Sequence, residues 1–346
     1  MSDESTWESE RDALLGRRIS DLGLSIRGSR IERLVDALYA ELAARSISFR
    51  PPVYLSDQWG CPDGTPLIGV PFYLVDPRLE RIEAEMSGSV EDDAEAMRYL
   101  RHESGHAINY AFHLYDRAEW RNVFGSFSLP YRERYSADPF SRDYVRHILG
   151  WYAQKHPDED FAETFAVWLT PGSDWRRDYE GWPAIAKLEY VDTVMRELAP
   201  RSLDVEPPGE DDLPVEAMRY TVAQHYAESD DRVPIGDARQ FDTDLRKIFS
   251  SANDSPAGEQ AMSFIRRHYG EIVSRIAYWT SEAPSTVRSF IDHLARRAGE
   301  LELRVGALEA STLIELTAFG TAVVMNHRST HTRGRAPGGR TRGVPA

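Results

Sequence analysis

His102 and His106 stand four residues apart in the run His102-Glu103-Ser104-Gly105-His106, and on a helix this spacing sets both imidazoles on one face, one turn apart. Two imidazoles so placed can reach a single divalent ion. Glu103, beside the first of them, is then aimed at water near the ion and not at the ion itself. The chemistry this points to is metal-assisted hydrolysis, with His102 and His106 as metal ligands and Glu103 as general base. A bare match can arise by chance in a chain with 10 His and 56 Asp+Glu. The neighbours Met97, Leu100, Ala107, Ile108, Ala111 and Leu114 weigh against that, because they form an apolar face that seats the helix in a core.

A catalytic zinc takes three protein ligands and keeps one position open. The single cysteine, Cys61, excludes a Cys-rich site, so the third ligand is a His or a carboxylate. A His six residues after His106 is excluded, since Phe112 stands there and Asn109 replaces the Gly that such a continuation needs. The run Glu159-Asp160-Phe161-Ala162-Glu163 offers acids instead, with Glu159 and Glu163 one turn apart on a shared face. That pairing suits one ligand and one partner of a ligated imidazole. Spacing alone leaves Glu159, Asp160 and Glu163 open as the ligand.

The two runs together resemble the gluzincin metallopeptidases, those of the lethal-factor type above all. The resemblance implies that Glu159, in its Glu-x-Phe-Ala context, is the third zinc ligand. It implies that Glu163 hydrogen-bonds a zinc-bound His, and that Tyr152, seven residues before Glu159, assists at the oxyanion or leaving group. The longer stretch from Gly150 to Ala166 is also similar to a family named "putative zinc-binding metallopeptidases", a likeness covering most of residues 60 to 200. It names no substrate, and the C-terminal half falls outside it.

Other histidines read more plainly. His147, with Arg146, stands in an aromatic segment and suits an oxyanion or a surface role; His113 and His156 read as structural, the latter at a helix start. His327 and His331 share helical spacing but lie in an Arg- and Gly-rich stretch with no core to orient them.

The elements that must position the site follow from pattern and caps. Ser89, followed by Glu91, Asp92 and Asp93, caps a helix expected over about Val90 to Tyr115; Pro157 and the acids after it start a second, ending before Pro171-Gly172. A further helix is expected over Pro183 to Leu198. Residues 52–56 and 67–75 read as strands, with Pro71 on an edge where an extended peptide could add near Val70 to Leu74. Two helices within residues 10–46 form a first layer, parted by Gly28-Ser29.

The expected fold class is α+β and helix-rich: a zincin-like core over residues 1–200, with a small sheet packed on the active-site helix. An acidic Pro-rich linker (201–214), an all-α C-terminal domain (215–326) and a basic disordered tail (327–346) follow. The net charge of -15 argues against general nucleic-acid binding, although five arginines follow His327. The acidic start lacks a secretory pattern and the apolar run Leu316 to Met325 is too short to span a bilayer, so the expectation is a cytoplasmic protein without a membrane partner. The function expected is a Zn2+-dependent metallopeptidase acting on a peptide or protein substrate. The other class is a catalytically silent, zinc-stabilised interaction protein working through its helical C-terminal half.

Overall fold

Ser29 opens a helix as its type dictates, its hydroxyl accepting from the backbone N–H groups of Ile31 at 3.2 Å and Glu32 at 3.4 Å. The computed structural model describes residues 2–87, 90–131, 135, 137–148, 150–199, 214–228, 238–251, 255–280, 282, 284–306 and 308–334. The chain divides into two compact units, Met1–Glu228 and Ser229–Ala346. Most of the segment expected as a linker, residues 201–213, and the end of the expected tail, residues 335–346, lie outside the described residues.

The first unit holds α1 (Ser2–Leu15), α2 (Arg30–Ala44), β1 (Val53–Ser56), β2 (Ile68–Pro71), α3 (Pro77–Ser87) and α4 (Asp93–Ala111). After these come α5 (Ala118–Phe124), α6 (Pro157–Leu169), α7 (Trp175–Asp178), α8 (Ile185–Leu198) and α9 (Val222–Glu228). It is helix-rich, with one small parallel sheet among the described residues in the register Val53↔Ile68 to Ser56↔Pro71. The strand expected to continue to Val75 stops at Pro71, and Phe72–Val75 form a 3-10 turn with Phe72, Tyr73 and Leu74 all buried. On its far side Gly69 pairs with Gly60, through N–H···O contacts of 2.7 and 3.3 Å. The free edge expected around Val70 to Leu74 is therefore not formed.

Two helices carry the site, and their sequences explain their placement. The start of α4 is a capping box: Asp92 accepts from the Glu95 N–H at 2.8 Å and Glu95 returns the bond to the Asp92 N–H at 3.4 Å. This sets the helix start just after the expected Ser89, which lies outside the described residues. In α6, Pro157 occupies the first turn and the His156 imidazole accepts from the Asp158 N–H at 3.2 Å. Every residue of α6 from Asp158 to Leu169 is buried. Its apolar side lies in a run of rings, Phe161 with Trp120 and Phe124 at 6.2 and 5.4 Å and Phe165 with Trp168 at 5.7 Å. Arg45 donates to the Trp168 carbonyl near the C-terminus of α6 at 2.7 Å.

Where α4 meets α6, Gly105 lies over Ala162: a Cβ at Gly105 would stand 2.7 Å from the Ala162 Cα. Glycine is required there to let the backbones approach. One turn before Gly105, Arg101 ties α4 to α2 by a two-pronged ion pair with Glu41, 2.7 Å on each arm.

In the second unit the described helices are α10 (Asp242–Ile248), α11 (Ala261–Arg267), α12 (Tyr269–Thr280), α13 (Pro284–Glu300) and α14 (Glu309–Gly334). Phe264, Ile272, Ile276, Ile291, Leu294 and Leu316 form its core, and Arg297 clamps Asp242 at 2.7 Å on both arms. Residues 327–334 of the expected tail continue α14. No described helix is long and apolar enough to cross a membrane.

Candidate metal centre

The close crossing of α4 and α6 runs antiparallel at the site, so that His102 faces Glu163 and His106 faces the N-terminal turn of α6. His102 Nε2 lies 3.0 Å and His106 Nε2 3.2 Å from Glu159 Oε2, and the two Nε2 atoms are 3.1 Å apart. The other ring nitrogens are taken by carboxylates, His102 Nδ1 by Glu163 Oε1 and His106 Nδ1 by Asp158 Oδ2, each at 2.9 Å. An ionised carboxylate can only accept, so both Nδ1 atoms carry the proton. In the neutral imidazoles the two Nε2 lone pairs then converge on a carboxylate oxygen with no hydrogen between them.

Three acceptors facing one another repel unless protons or a metal cation join them. Zinc takes imidazole nitrogen and carboxylate oxygen at about 2.0–2.2 Å, so the edges of a tetrahedral site measure about 3.3–3.5 Å. The observed separations of 3.0 to 3.2 Å come close to those edges. Among the described residues His102, His106 and Glu159 are the group whose donor atoms could hold a metal ion. The charge balance agrees. Glu103, Asp158, Glu159 and Glu163 are 6, 5, 3 and 0 % exposed, and even with both imidazoles protonated they leave the pocket with an excess of negative charge.

The pKa shifts follow from the same geometry. Burial raises Glu103, with the imidazoles opposing and Glu159 and Asp158 reinforcing the rise. In the doubly protonated imidazoles the same Nε2 atoms donate to Glu159, and these hydrogen bonds and charges outweigh its burial and hold it well below its ordinary range. On His102 burial is likewise overcome, by Glu159 and Glu163, and its pKa rises to about 9. The Glu103 carboxylate makes no hydrogen bond among those found for the described residues, which leaves its oxygens free to receive a proton.

Tyr152 sits in a short 3-10 turn after Gly150 and Trp151, both at positive φ, with its ring 5.6 Å from that of His102. Burial, with Glu159 nearby, pushes its phenol pKa up, so the group is a donor. Its hydroxyl accepts from Lys155 Nζ at 3.2 Å and lies 3.5 Å from that of Tyr131. The sequence reading missed Tyr131, whose hydroxyl donates to Glu159 Oε1. It also missed Asp158, which accepts from Tyr110 Oη at 2.6 Å and Asn109 Nδ2 at 2.7 Å as well as from His106. Nothing in the aromatic stretch around Tyr131 singles that residue out. Asp158 lies five residues before Glu163, so it stands opposite His106 only once α6 is known to run antiparallel to α4.

The remaining candidates lie elsewhere. The main-chain N–H groups of His147 and Ile148 donate to Glu163 Oε2 at 3.2 and 2.8 Å, while the His147 ring donates to the Arg98 carbonyl at 3.0 Å. Arg146 donates to the Pro139 carbonyl at 2.9 Å and stacks on Trp182. His113 is exposed at a positive-φ turn beside Tyr115. Asp160 bonds Lys187 at 2.7 Å and is not part of the metal-type cluster. No curated protein and no solved structure gives a significant match to this chain. Residues 87–172, the stretch that contributes every side chain of the cluster, match the model of the family described as "Putative zinc-binding metallo-peptidase".

Proposed function

We propose that the chain is a zinc-dependent metallopeptidase of gluzincin type, with a zincin-like core in its first unit. The observation that carries this reading is the convergence of two imidazole Nε2 atoms and one carboxylate oxygen at 3.0–3.2 Å, with both imidazole Nδ1 atoms held by other acids. His102, His106 and Glu159 hold the ion. Bound there, zinc supplies Lewis acidity that polarises a scissile carbonyl and acidifies water to a pKa of roughly 7.

The chain's own groups do the rest. Glu103, buried, with no hydrogen bond found among the described residues and with a raised pKa, takes a proton from the attacking water and returns it to the leaving amine. Glu163 fixes the orientation of His102. Tyr152, kept protonated beside Glu159, offers its hydroxyl to the developing oxyanion. The family match supports peptide-bond hydrolysis.

The test is Glu103→Ala, with zinc stoichiometry and cleavage of a proteome-derived peptide library measured on wild type and variant. Zinc content should stay at one per chain while cleavage falls by at least about 100-fold, as loss of a general base requires. Cleavage at the wild-type rate would remove Glu103 from this role, and a wild-type chain that takes up no zinc would end the reading.

A further inference from the structure

We propose that Asp158 is the positioning residue of His106, fixing the ring so that Nε2 faces the ion; this rests on the metallopeptidase reading. The resemblance in the sequence supplies an acid, Glu163, for only one imidazole, which the structure identifies as His102. The structure supplies the other from the residue directly before Glu159.

Asp158 is 5 % exposed, and every partner it has is a donor: His106 Nδ1 at 2.9 Å and Tyr110 Oη at 2.6 Å on Oδ2, Asn109 Nδ2 at 2.7 Å on Oδ1. Asn109 is fully buried and leaves its own carbonyl oxygen with no hydrogen-bond partner among the described residues. A buried amide oxygen left unsatisfied costs about 1–3 kcal/mol, so this orientation needs a compensating bond, and the one it makes is to Asp158. Flipping the amide would face its oxygen to the carboxylate. The arrangement thus marks Asp158 as an ionised acceptor.

Tyr110 and Asn109 follow His106 by four and three residues on α4. One helix therefore presents both the imidazole and the two donors that grip its acceptor, and α6 contributes the acid to that closed set. The carboxylate charge facing Nδ1–H locks the tautomer with Nε2 unprotonated and raises the basicity of Nε2 as a ligand. Glu163 does the same for His102 but is gripped by the main-chain N–H groups of His147 and Ile148. The two imidazoles are thus anchored independently.

The experiment uses the full chain as wild type, Asp158→Asn, Tyr110→Phe and Glu163→Gln. Zinc affinity is read by competition with a chromophoric chelator, and the imidazole N–H protons by NMR of 15N-labelled protein. Asp158→Asn should weaken zinc binding by about 10–100-fold and remove the downfield Nδ1–H resonance of His106, with that of His102 retained. Glu163→Gln, which removes the His102 signal, assigns the pair. Tyr110→Phe leaves the acid in place and should weaken zinc by several-fold, so it carries the test if Asp158→Asn does not fold. Wild-type affinity with an unchanged His106 resonance in Asp158→Asn, or wild-type affinity in Tyr110→Phe where only that variant folds, would overturn the assignment. If the wild-type chain takes up no zinc, the metallopeptidase reading fails instead, and the two failures are told apart.

Discussion

Replacing Gly105 by Ala sets two effects of opposite sign against each other. Helix propensity favours Ala in the middle of α4 by about 1 kcal/mol. The added methyl, however, would meet the Ala162 Cα at 2.7 Å, its carbonyl oxygen at 3.0 Å and its Cβ at 3.2 Å. Carbon atoms in van der Waals contact stand about 3.5–4.0 Å apart, so α4 and α6 must part by about 1 Å at the crossing. The nearest atom is backbone, and no side-chain rotation relieves it. Overpacking of this kind costs about 1–3 kcal/mol, which outweighs the propensity gain over most of that range.

The metal centre should suffer more than stability does. His106 is one residue and His102 three residues from Gly105, while Glu159 lies one turn from Ala162, so the separation acts directly on the donor spacing of 3.0–3.2 Å. Metal sites tolerate changes in ligand distance of about 0.2 Å, several times less than this displacement. Zinc affinity should therefore fall by on the order of 100-fold or more, at or beyond the upper end of what loss of an outer partner costs. Chelator competition and thermal unfolding of metal-free protein measure the two effects separately. A variant that binds zinc as wild type does, with an unchanged or raised Tm, would refute the argument that this contact sets the site.

Stripping the metal with a chelator should lower the Tm of the first unit, since a ligand present at 100 times its Kd stabilises by about 2.7 kcal/mol; scanning calorimetry with and without added zinc checks this. Asp160 bears on pH. Burial lifts its pKa to about 7, with Lys187 opposing, so between about pH 4 and 7 the folded chain keeps a proton that the unfolded chain has lost. Its contribution to stability therefore falls as pH rises through that window. The Tm difference between Asp160→Asn and wild type should become more favourable to the variant from pH 5 to pH 7.5, and a pH-independent difference would contradict the assigned burial effect.

What could be read from the residues was what local chemistry controls. Pro157, the acids after it and Pro171-Gly172 bound α6, and the structure has it over Pro157–Leu169. The paired imidazoles on α4 follow from helical periodicity alone. The strand through residues 67–75 was over-extended because a continuous apolar run carries no period, and Phe72 to Leu74 are buried in a 3-10 turn instead. Tyr131 was invisible because its place beside Glu159 comes from irregular chain with no pattern to project. Asp158 needed the relative direction of two helices separated by many residues, which neither helix carries alone.

In the zinc centre proposed above, the grip of the His147 and Ile148 peptide groups on Glu163 would make the main chain of a connecting segment part of what orients a metal-bound imidazole. Through Glu163 and His102 a displacement of that segment would then change how strongly one imidazole gives its electrons to the proposed ion. Lys187 fastens the same segment by donating to the Asp143 carbonyl at 2.5 Å while it holds Asp160 on α6. Natural or engineered sequence drift in residues 143–148 is therefore a means of tuning the centre while leaving all its donor side chains untouched.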